Sequence, residues 1–189
     1  MVTIEKATKL VKLARKAIET KEIEYTKDKE KSGVFVTLST YPEHELRGCI
    51  GYSEPTFSVN EGIQRAAVCA AYSDPRFPPL ETEELDKIVV EISVLTKSNK
   101  IEAKDAVKKL SSITPNKDGL IINYKNRSAL LLPQVWEELS SKEEFLNALC
   151  LKCMLPYNAW MDPNANIFKF NVEAFKEITP NGRIVKVKT

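Results

Sequence analysis

The chain has 189 residues, of which 43% are hydrophobic and 29% are charged. This composition is typical of a folded globular protein rather than a disordered one. The length suits one domain, with two lobes inside that domain as the alternative. Lys and Arg number 28 against 26 Asp and Glu, a net charge of +2. The protein therefore has no overall field to concentrate nucleic acid or anionic membrane, and binding either would need a local patch.

The N-terminal segment, residues 3–20, is predicted to form an amphipathic helix. Its basic residues occupy the face opposite the apolar ones, which recur at helical spacing: Ile4, Ala7, Val11, Ala14 and Ile18. The interspersed charges exclude the apolar core of a signal peptide, and no apolar run elsewhere is long enough to cross a bilayer. We expect a soluble cytoplasmic protein without membrane attachment; a transit peptide or a membrane-surface helix is the alternative.

The first half of the chain mixes strand and helix patterns. Residues 33–41, GVFVTLSTY, alternate as a strand does, and the chain turns at 42–45 into LRGCIGYS, so these two runs are predicted to pair as a hairpin. Ser58 and Glu61 form a capping-box pattern that opens a helix, which ends near SDPRFPPL. After a short polar helical turn, KIVVEISVLT (87–96) predicts a sheet strand.

The second half continues the mixture. A short helix near 103–111 is followed by GLIINY and RSALLLP, which are predicted to form a second hairpin, and Pro133 suits the first turn of a helix. Residues 167–175 predict one further strand, and RIVKVK (183–188) predicts an edge strand protected by lysines. The fold class is therefore α+β, with mainly antiparallel sheets and flanking helices.

Four cysteines are scattered through a chain without a secretory signal, so reduced thiols are expected. Cys150 and Cys153 follow a capping-box pattern and share the apolar stripe of a predicted helix. A zinc site would have to recruit Cys49, Cys69 or the single histidine from far away. We therefore predict two buried structural thiols in this helix and no metal site.

Several long blocks resemble the AMMECR domain family, named for a human chromosomal region linked to Alport syndrome and midface hypoplasia. The blocks are LRGCIG, SDPRFPPL, GLIINYKNRSALLLPQVWEEL and EEFLNALCLKCML, followed by Trp160. The resemblance implies a single domain over 1–189, with a mixed α+β fold of two lobes around a cleft and the first block near that cleft. It also implies two partners, a Memo-type protein and a radical S-adenosylmethionine enzyme. Cys153 stands where the family pattern has a small residue such as alanine, which weakens a shared role for the Cys150–Cys153 pair.

The LRGCIG strand contains the first candidate site residues. Glycine weakens a strand by roughly 0.5–1 kcal/mol relative to alanine, so two glycines around a cysteine indicate close approach of another backbone or of a ligand. Strand alternation divides the segment into two faces, with Leu46, Gly48 and Ile50 towards the core and Arg47, Cys49 and Gly51 on the other side. On this second face a guanidinium could favour a thiolate or an anion.

Three interpretations of Cys49 follow: a small packed thiol, a binding residue, and a catalytic nucleophile. Arg47, Gly48 and Gly51 are the ligand-binding candidates beside it, with Gly51 leaving room for a ligand at the backbone. His44, the only histidine, would lie roughly 16 Å from Cys49 along an extended strand and point to the other face. A Cys/His dyad is therefore not expected.

The SDPRFPPL segment supplies two further candidates. In a purely structural interpretation, Asp74 and Pro75 end a helix and Phe77 anchors the connection by burial. In a functional one, the rigid segment presents Arg76 towards Arg47 and Cys49, with Asp74 orienting it. Two arginines would favour a phosphate or a carboxylate.

The sequence lacks a phosphate-binding glycine loop, a histidine–carboxylate metal cluster and a serine nucleophile elbow, so no cofactor is predicted. No aromatic platform accompanies the C-terminal lysines Lys176, Lys186 and Lys188, which disfavours nucleic-acid binding. Two functions remain. One is binding or modification of a small anionic ligand in a cleft near LRGCIG, and the other is a noncatalytic interaction module that serves a partner enzyme.

Overall fold

The computed structural model describes residues 2–187 and combines helices with two β-sheets, which confirms the α+β fold class. Lys188 lies outside the described residues. The chain divides into two compact units: one runs to Leu95 and resumes at Glu173, and the other is Thr96–Val172. Among residues 2–187, no helix has the length and apolar character needed to cross a membrane.

The helices are α1 (Ile4–Thr20), α2 (Val59–Tyr72), α3 (Ala106–Ser111) and α4 (Lys142–Lys152), with 3-10 turns at Thr82–Lys87, Pro133–Glu137 and Ala159–Met161. The strands are β1 (Val34–Thr40), β2 (Leu46–Tyr52), β3 (Ile88–Leu95), β4 (Asn99–Lys100), β5 (Gly119–Tyr124), β6 (Arg127–Leu131), β7 (Asn166–Phe170), β8 (Val172–Glu177) and β9 (Ile184–Lys186). Both predicted hairpins are confirmed, because β1 pairs antiparallel with β2 and β5 pairs antiparallel with β6.

The single strand predicted over 167–175 is wrong. The chain forms β7 in one sheet, breaks at Asn171, and enters the other sheet as β8. The main-chain N–H and carbonyl of Asn171 both bond to Thr96 instead of continuing a ladder. The run IFKFNVEAF has no proline or glycine at this point, and Asn171 alone is too weak a turn signal to divide an otherwise strand-like run.

The first unit is a five-stranded sheet in the order β2-β1-β3-β8-β9, with α1 and α2 packed on one face. The alternation predicted for β1 is confirmed, because Val34, Val36 and Leu38 are all at most 1% exposed. Ser58 caps α2 as predicted, with its hydroxyl accepting the main-chain N–H of Glu61 at 3.3 Å. This packing commits one face of the sheet to the core and leaves the polar residues of β1 and β3 on the other.

The second unit contains the four-stranded sheet β4-β7-β5-β6 and its own core. Cys150 and Cys153 are buried in that core, as predicted. Its centre also holds Lys109, whose ammonium donates to the carbonyl oxygens of Trp160, Asp162 and Ala165 at 2.7–3.0 Å. Buried charges of this kind persist only when their donors are bonded, so Lys109 is a structural cross-link of the second unit.

Candidate functional site

At Cys49, the edge of the five-stranded sheet formed by β2 is bonded to side chains instead of to another strand. β2 is an edge strand, and the main-chain N–H of Cys49 donates to Asp74 Oδ2 at 2.8 Å, while its carbonyl oxygen accepts from Arg76 Nη2 at 3.1 Å. The two side chains therefore take the place that a neighbouring strand would occupy. Cys49 itself is half-buried.

The Asp74–Arg76 pair is built by the segment that ends α2. Pro75 cannot continue the helix, and Asp74 Oδ1 accepts the main-chain N–H of Arg76 at 3.1 Å, a local turn that aspartate favours. The guanidinium then grips the same carboxylate through Nε at 2.9 Å and Nη2 at 2.7 Å. This bidentate contact fixes the direction of Arg76.

The burial of the two partners is unequal. The Asp74 side chain is 1% exposed and that of Arg76 is 51% exposed. Hydrogen bonding from Arg76, together with the N–H of Cys49, holds the pKa of Asp74 well below its usual range. The pKa of Arg76 is raised, chiefly by its hydrogen bonds to Asp74 and to a smaller extent by the Cys49 side chain. Half of the Arg76 side chain is exposed, so an oriented cationic group lies at the surface beside the thiol.

A polar row continues from Cys49 across the sheet. Thr37 lies opposite Cys49 on β1, and Glu91 lies opposite Thr37 on β3. Residues opposite one another project on the same face of a sheet. The Thr37 hydroxyl donates to Cys49 Sγ at 3.4 Å. Two strand spacings separate Cys49 from Glu91, which places their Cα atoms about 10 Å apart.

Glu91 is the residue of this row that was not among the predicted site residues. It is half-buried, and burial raises its pKa, with Lys176 acting in the opposite direction. In the described part of the chain its carboxylate forms neither a hydrogen bond nor an ion pair. A single carboxylate within the β-branched run KIVVEISVLT was the available signal. In an alternating strand, however, Glu91 has the same pattern as any ordinary polar residue on the solvent face.

Arg47 has a different set of partners from the predicted one. Its guanidinium makes a bidentate contact with Glu84, through Nε at 2.7 Å and Nη2 at 2.9 Å, and its Nη1 donates to the carbonyl of Pro78 at 3.0 Å. It is 9% exposed. These bonds tie the loop after α2 to β2. An anion could reach Arg47 only by displacing Glu84, so the predicted cradle of two free arginines is not formed.

The glycines of LRGCIG are packed against protein. A methyl group on Gly48 would overlap the main-chain carbonyl of Ala70 in α2, and one on Gly51 would overlap the ring of Phe35. Phe35 therefore fills the space that Gly51 was expected to leave for a ligand. Gly48 meets the core face as predicted, but Leu46 is 44% exposed, because a register shift at Leu38/Ser39 displaces the start of β2.

His44 lies in the exposed β1–β2 turn, where its ring contacts Tyr41 edge-on with 6.0 Å between centroids. No cluster of three or more His, Cys, Asp or Glu residues suited to a metal ion occurs within residues 2–187.

Of the predicted site residues, the structure brings Cys49, Asp74 and Arg76 into direct contact. Arg47 does not contact this pair, but it bonds to the carbonyl of Pro78 in the same loop after α2.

The fold and this site define an α+β protein whose edge-strand cysteine is clasped by an aspartate–arginine pair. The AMMECR1 family model matches residues 7–175. A protein from Methanocaldococcus jannaschii is 42% identical over 201 residues, covering 100% of this chain and 98% of that protein. One from Methanococcus aeolicus is 44% identical over 161 residues, covering 85% and 81%. The crystal structure of an uncharacterized protein from Pyrococcus horikoshii has a TM-score of 0.79, with 42% identity over 95% of each chain.

The chain belongs to the AMMECR1 family. This confirms the resemblance inferred from LRGCIG and the blocks that follow it. The matched region includes every residue of the Asp74–Arg76 clasp and of the polar row.

Proposed function

We propose that the protein binds a small anionic ligand beside Cys49, with Arg76 as the charge contact and Cys49 as the residue that meets the ligand's reactive atom. One observation carries the proposal: a half-exposed guanidinium is fixed by a buried carboxylate and directed alongside a half-buried thiol. A phosphate or a carboxylate matches the planar donors of arginine. Asp74 is the positioning residue, since its four hydrogen bonds go to Arg76 and to the Cys49 backbone.

Cys49 is the catalytic residue of this proposal. Its sulfur adds to a carbonyl carbon of the ligand. The π pair of the C=O bond moves to the carbonyl oxygen, which takes a proton from water, and the thiol proton passes to water, so no group has to leave. Burial raises the pKa of Glu91 above its ordinary value, so this carboxyl group holds a proton to a higher pH than an exposed glutamate does. Glu91 lies one strand beyond Thr37, so it would act on the part of the ligand that extends along the polar row.

Two alkylating probes of nearly equal size test the proposal, because iodoacetate is anionic and iodoacetamide is neutral. We expect Cys49 to be alkylated by iodoacetate, relative to iodoacetamide, at least five times more readily than Cys69, measured by peptide mass spectrometry. Arg76→Gln should abolish this preference. Arg65→Gln, which removes another half-exposed, carboxylate-paired arginine, is the matched control and should retain it. Equal preference at Cys49 in wild type and Arg76→Gln would overturn the anion site.

The second candidate function is a noncatalytic module that binds a Memo-type protein and a radical S-adenosylmethionine enzyme. It is favoured by exposed apolar side chains at the end of α4 and just after it: Leu151, Met154, Tyr157 and Met161, which are 47–81% exposed. Met154 also has a positive φ of 59° and is held by Arg127, which donates to its carbonyl at 2.9 Å. Complex formation that survives Cys49→Ala but is lost in Met154→Gln would support this function over the first.

A further inference from the structure

A groove lies along the opposite edge of the five-stranded sheet, away from Cys49. It has a volume of about 740 Å³ and is bounded by Ile4, Thr8 and Lys12 of α1 on one side and by the chain from Asn181 to Lys186 on the other. Three consecutive residues of β9 line it. Because successive side chains of a strand point to opposite faces, a surface touching all three must reach the edge of the strand.

The main-chain groups at this edge are unpaired within the described residues. β9 is the last strand of the sheet and pairs only with β8. The N–H of Ile178 bonds to the carbonyl of Arg183 at 3.0 Å, and the N–H of Val187 bonds to the carbonyl of Ala174 at 2.9 Å. In an antiparallel ladder such pairs alternate with outward-facing residues. The N–H and carbonyl groups of Ile184 and Lys186 therefore face the groove.

The groove is basic around an apolar floor. Lys12, Arg183 and Lys186 line it, and no acidic residue does. Lys12 and Arg183 form no ion pair within residues 2–187, and Lys186 lies 3.4 Å from Glu173. Ile4, which is 51% exposed, and Ile184 supply the apolar surface.

The two edges of the sheet are finished in different ways. At β2, the side chains of Asp74 and Arg76 bond to the outward main chain of Cys49 and occupy the edge. At β9, the outward main chain borders an open groove instead. The lysines offer an alternative explanation, because lysines on an edge strand discourage pairing between copies of a protein. If Lys186 serves only that protective role, no peptide should bind at β9.

We propose that β9 is a docking edge for an extended acidic segment of a partner protein, which adds to the sheet as a sixth strand. The segment's main chain would bond to Ile184 and Lys186, its acidic side chains would meet Lys12, Arg183 and Lys186, and an apolar side chain would contact Ile4. Main-chain bonds supply affinity in this mode of recognition, and side chains supply specificity. The proposal does not depend on the chemistry at Cys49.

Three peptides test the docking edge by fluorescence anisotropy with the full chain. The probe is a fluorescein-labelled peptide of alternating glutamate and valine. The second peptide is identical except for N-methylated valines, which keep every charge but lose main-chain donors. The third replaces glutamate with lysine. We expect saturable binding of the first peptide, at least tenfold weaker binding of the N-methylated peptide, and none of the lysine peptide.

Variants locate the site. Arg183→Glu should weaken binding of the acidic peptide at least tenfold, whereas Lys104→Glu, the same reversal at an exposed lysine outside the groove, should change it less than twofold. Bound peptide should slow hydrogen exchange at the N–H groups of Ile184 and Lys186, and unchanged melting temperatures would show that both variants fold. Absence of binding, equal binding of the N-methylated peptide, or equal effects of the two variants would overturn the proposal.

Discussion

Asp74→Asn is predicted to destabilise the protein and to release Arg76 from Cys49. The carboxylate accepts four hydrogen bonds, from the N–H of Cys49 and from the N–H, Nε and Nη2 of Arg76. An amide keeps the shape of the side chain but loses the charge, and its NH2 group must face one of these donors. Charge-assisted bonds contribute about 1.5–3 kcal/mol each, and Arg76 remains half-exposed and can be resolvated. We therefore expect a loss of about 2–4 kcal/mol.

The dependence of the free energy of unfolding on pH, below about pH 5, is a second test of the role of Asp74. The pKa of Asp74 is lower in the folded state than its ordinary value of 3.8. The unfolded chain thus binds the proton more readily, so the stabilisation is complete above about pH 5 and is lost as the pH falls through the ordinary pKa and below. Asp74→Asn lacks this group, so its stability should fall less steeply than that of wild type between about pH 5 and pH 2.

Urea unfolding at several pH values measures both effects. Asp105→Asn is the matched control, because Asp105 caps α3 with one main-chain bond, its side chain is 52% exposed, and asparagine caps helices about as well. The control should lose only a few tenths of a kcal/mol at neutral pH. A loss below about 0.5 kcal/mol in Asp74→Asn, or an acid slope equal to that of wild type, would refute the account of the clasp.

Three further predictions concern packing and burial. Glu91→Gln should raise the melting temperature at neutral pH. Burial raises the pKa of the Glu91 carboxyl group, so the cost of burying its charged form grows as the pH rises above 4.5, and a lower melting temperature would contradict this. Gly48→Ala should lower the free energy of unfolding by at least about 2 kcal/mol, because the new methyl group meets the main chain of Ala70. Gly62→Ala in α2 should cost less, because its methyl group meets only a valine side chain. The reverse order in urea unfolding would count against this account of the packing. Lys109→Met should lower the free energy of unfolding by about 3 kcal/mol, because three buried carbonyl groups would lose their hydrogen-bond donor. Lys108→Met is the control: the Lys108 side chain is 77% exposed, so its loss should cost less than about 0.5 kcal/mol. Similar losses in the two variants would be inconsistent with a buried cross-link at Lys109.

Local patterns were sufficient to predict most of the elements. The helical spacing in 3–20, the serine cap at Ser58 and the alternation of β1 all depend on neighbours within a few residues, and each is confirmed. The second hairpin is likewise predicted from two neighbouring strand-like runs, which only Lys125 and Asn126 separate. In the structure both of these residues have the positive φ that a two-residue hairpin turn requires.

The parts that could not be predicted depend on contacts between distant residues. The partner of Arg47 is Glu84, which lies in a separate 3-10 turn, and no spacing in the sequence links the two. The register shift that exposes Leu46 and the break at Asn171 are likewise set by pairing between strands. For the site, one of the two interpretations of SDPRFPPL directs Arg76 towards Arg47 and Cys49, whereas the position of Glu91 opposite Thr37 requires the sheet register.

Protection of Cys49 from a neutral reagent tests the proposed anion site most directly. The rate of iodoacetamide labelling at Cys49 would be measured with increasing inorganic phosphate or a small carboxylate such as malonate, at constant ionic strength, with Cys69 as the internal standard. We expect at least one of these anions to slow labelling of Cys49 in a saturable manner, and expect Arg76→Gln to remove that protection while Arg65→Gln retains it. Labelling of Cys49 that no anion slows, or protection that persists in Arg76→Gln, would contradict the assignment of Arg76 as the ligand contact.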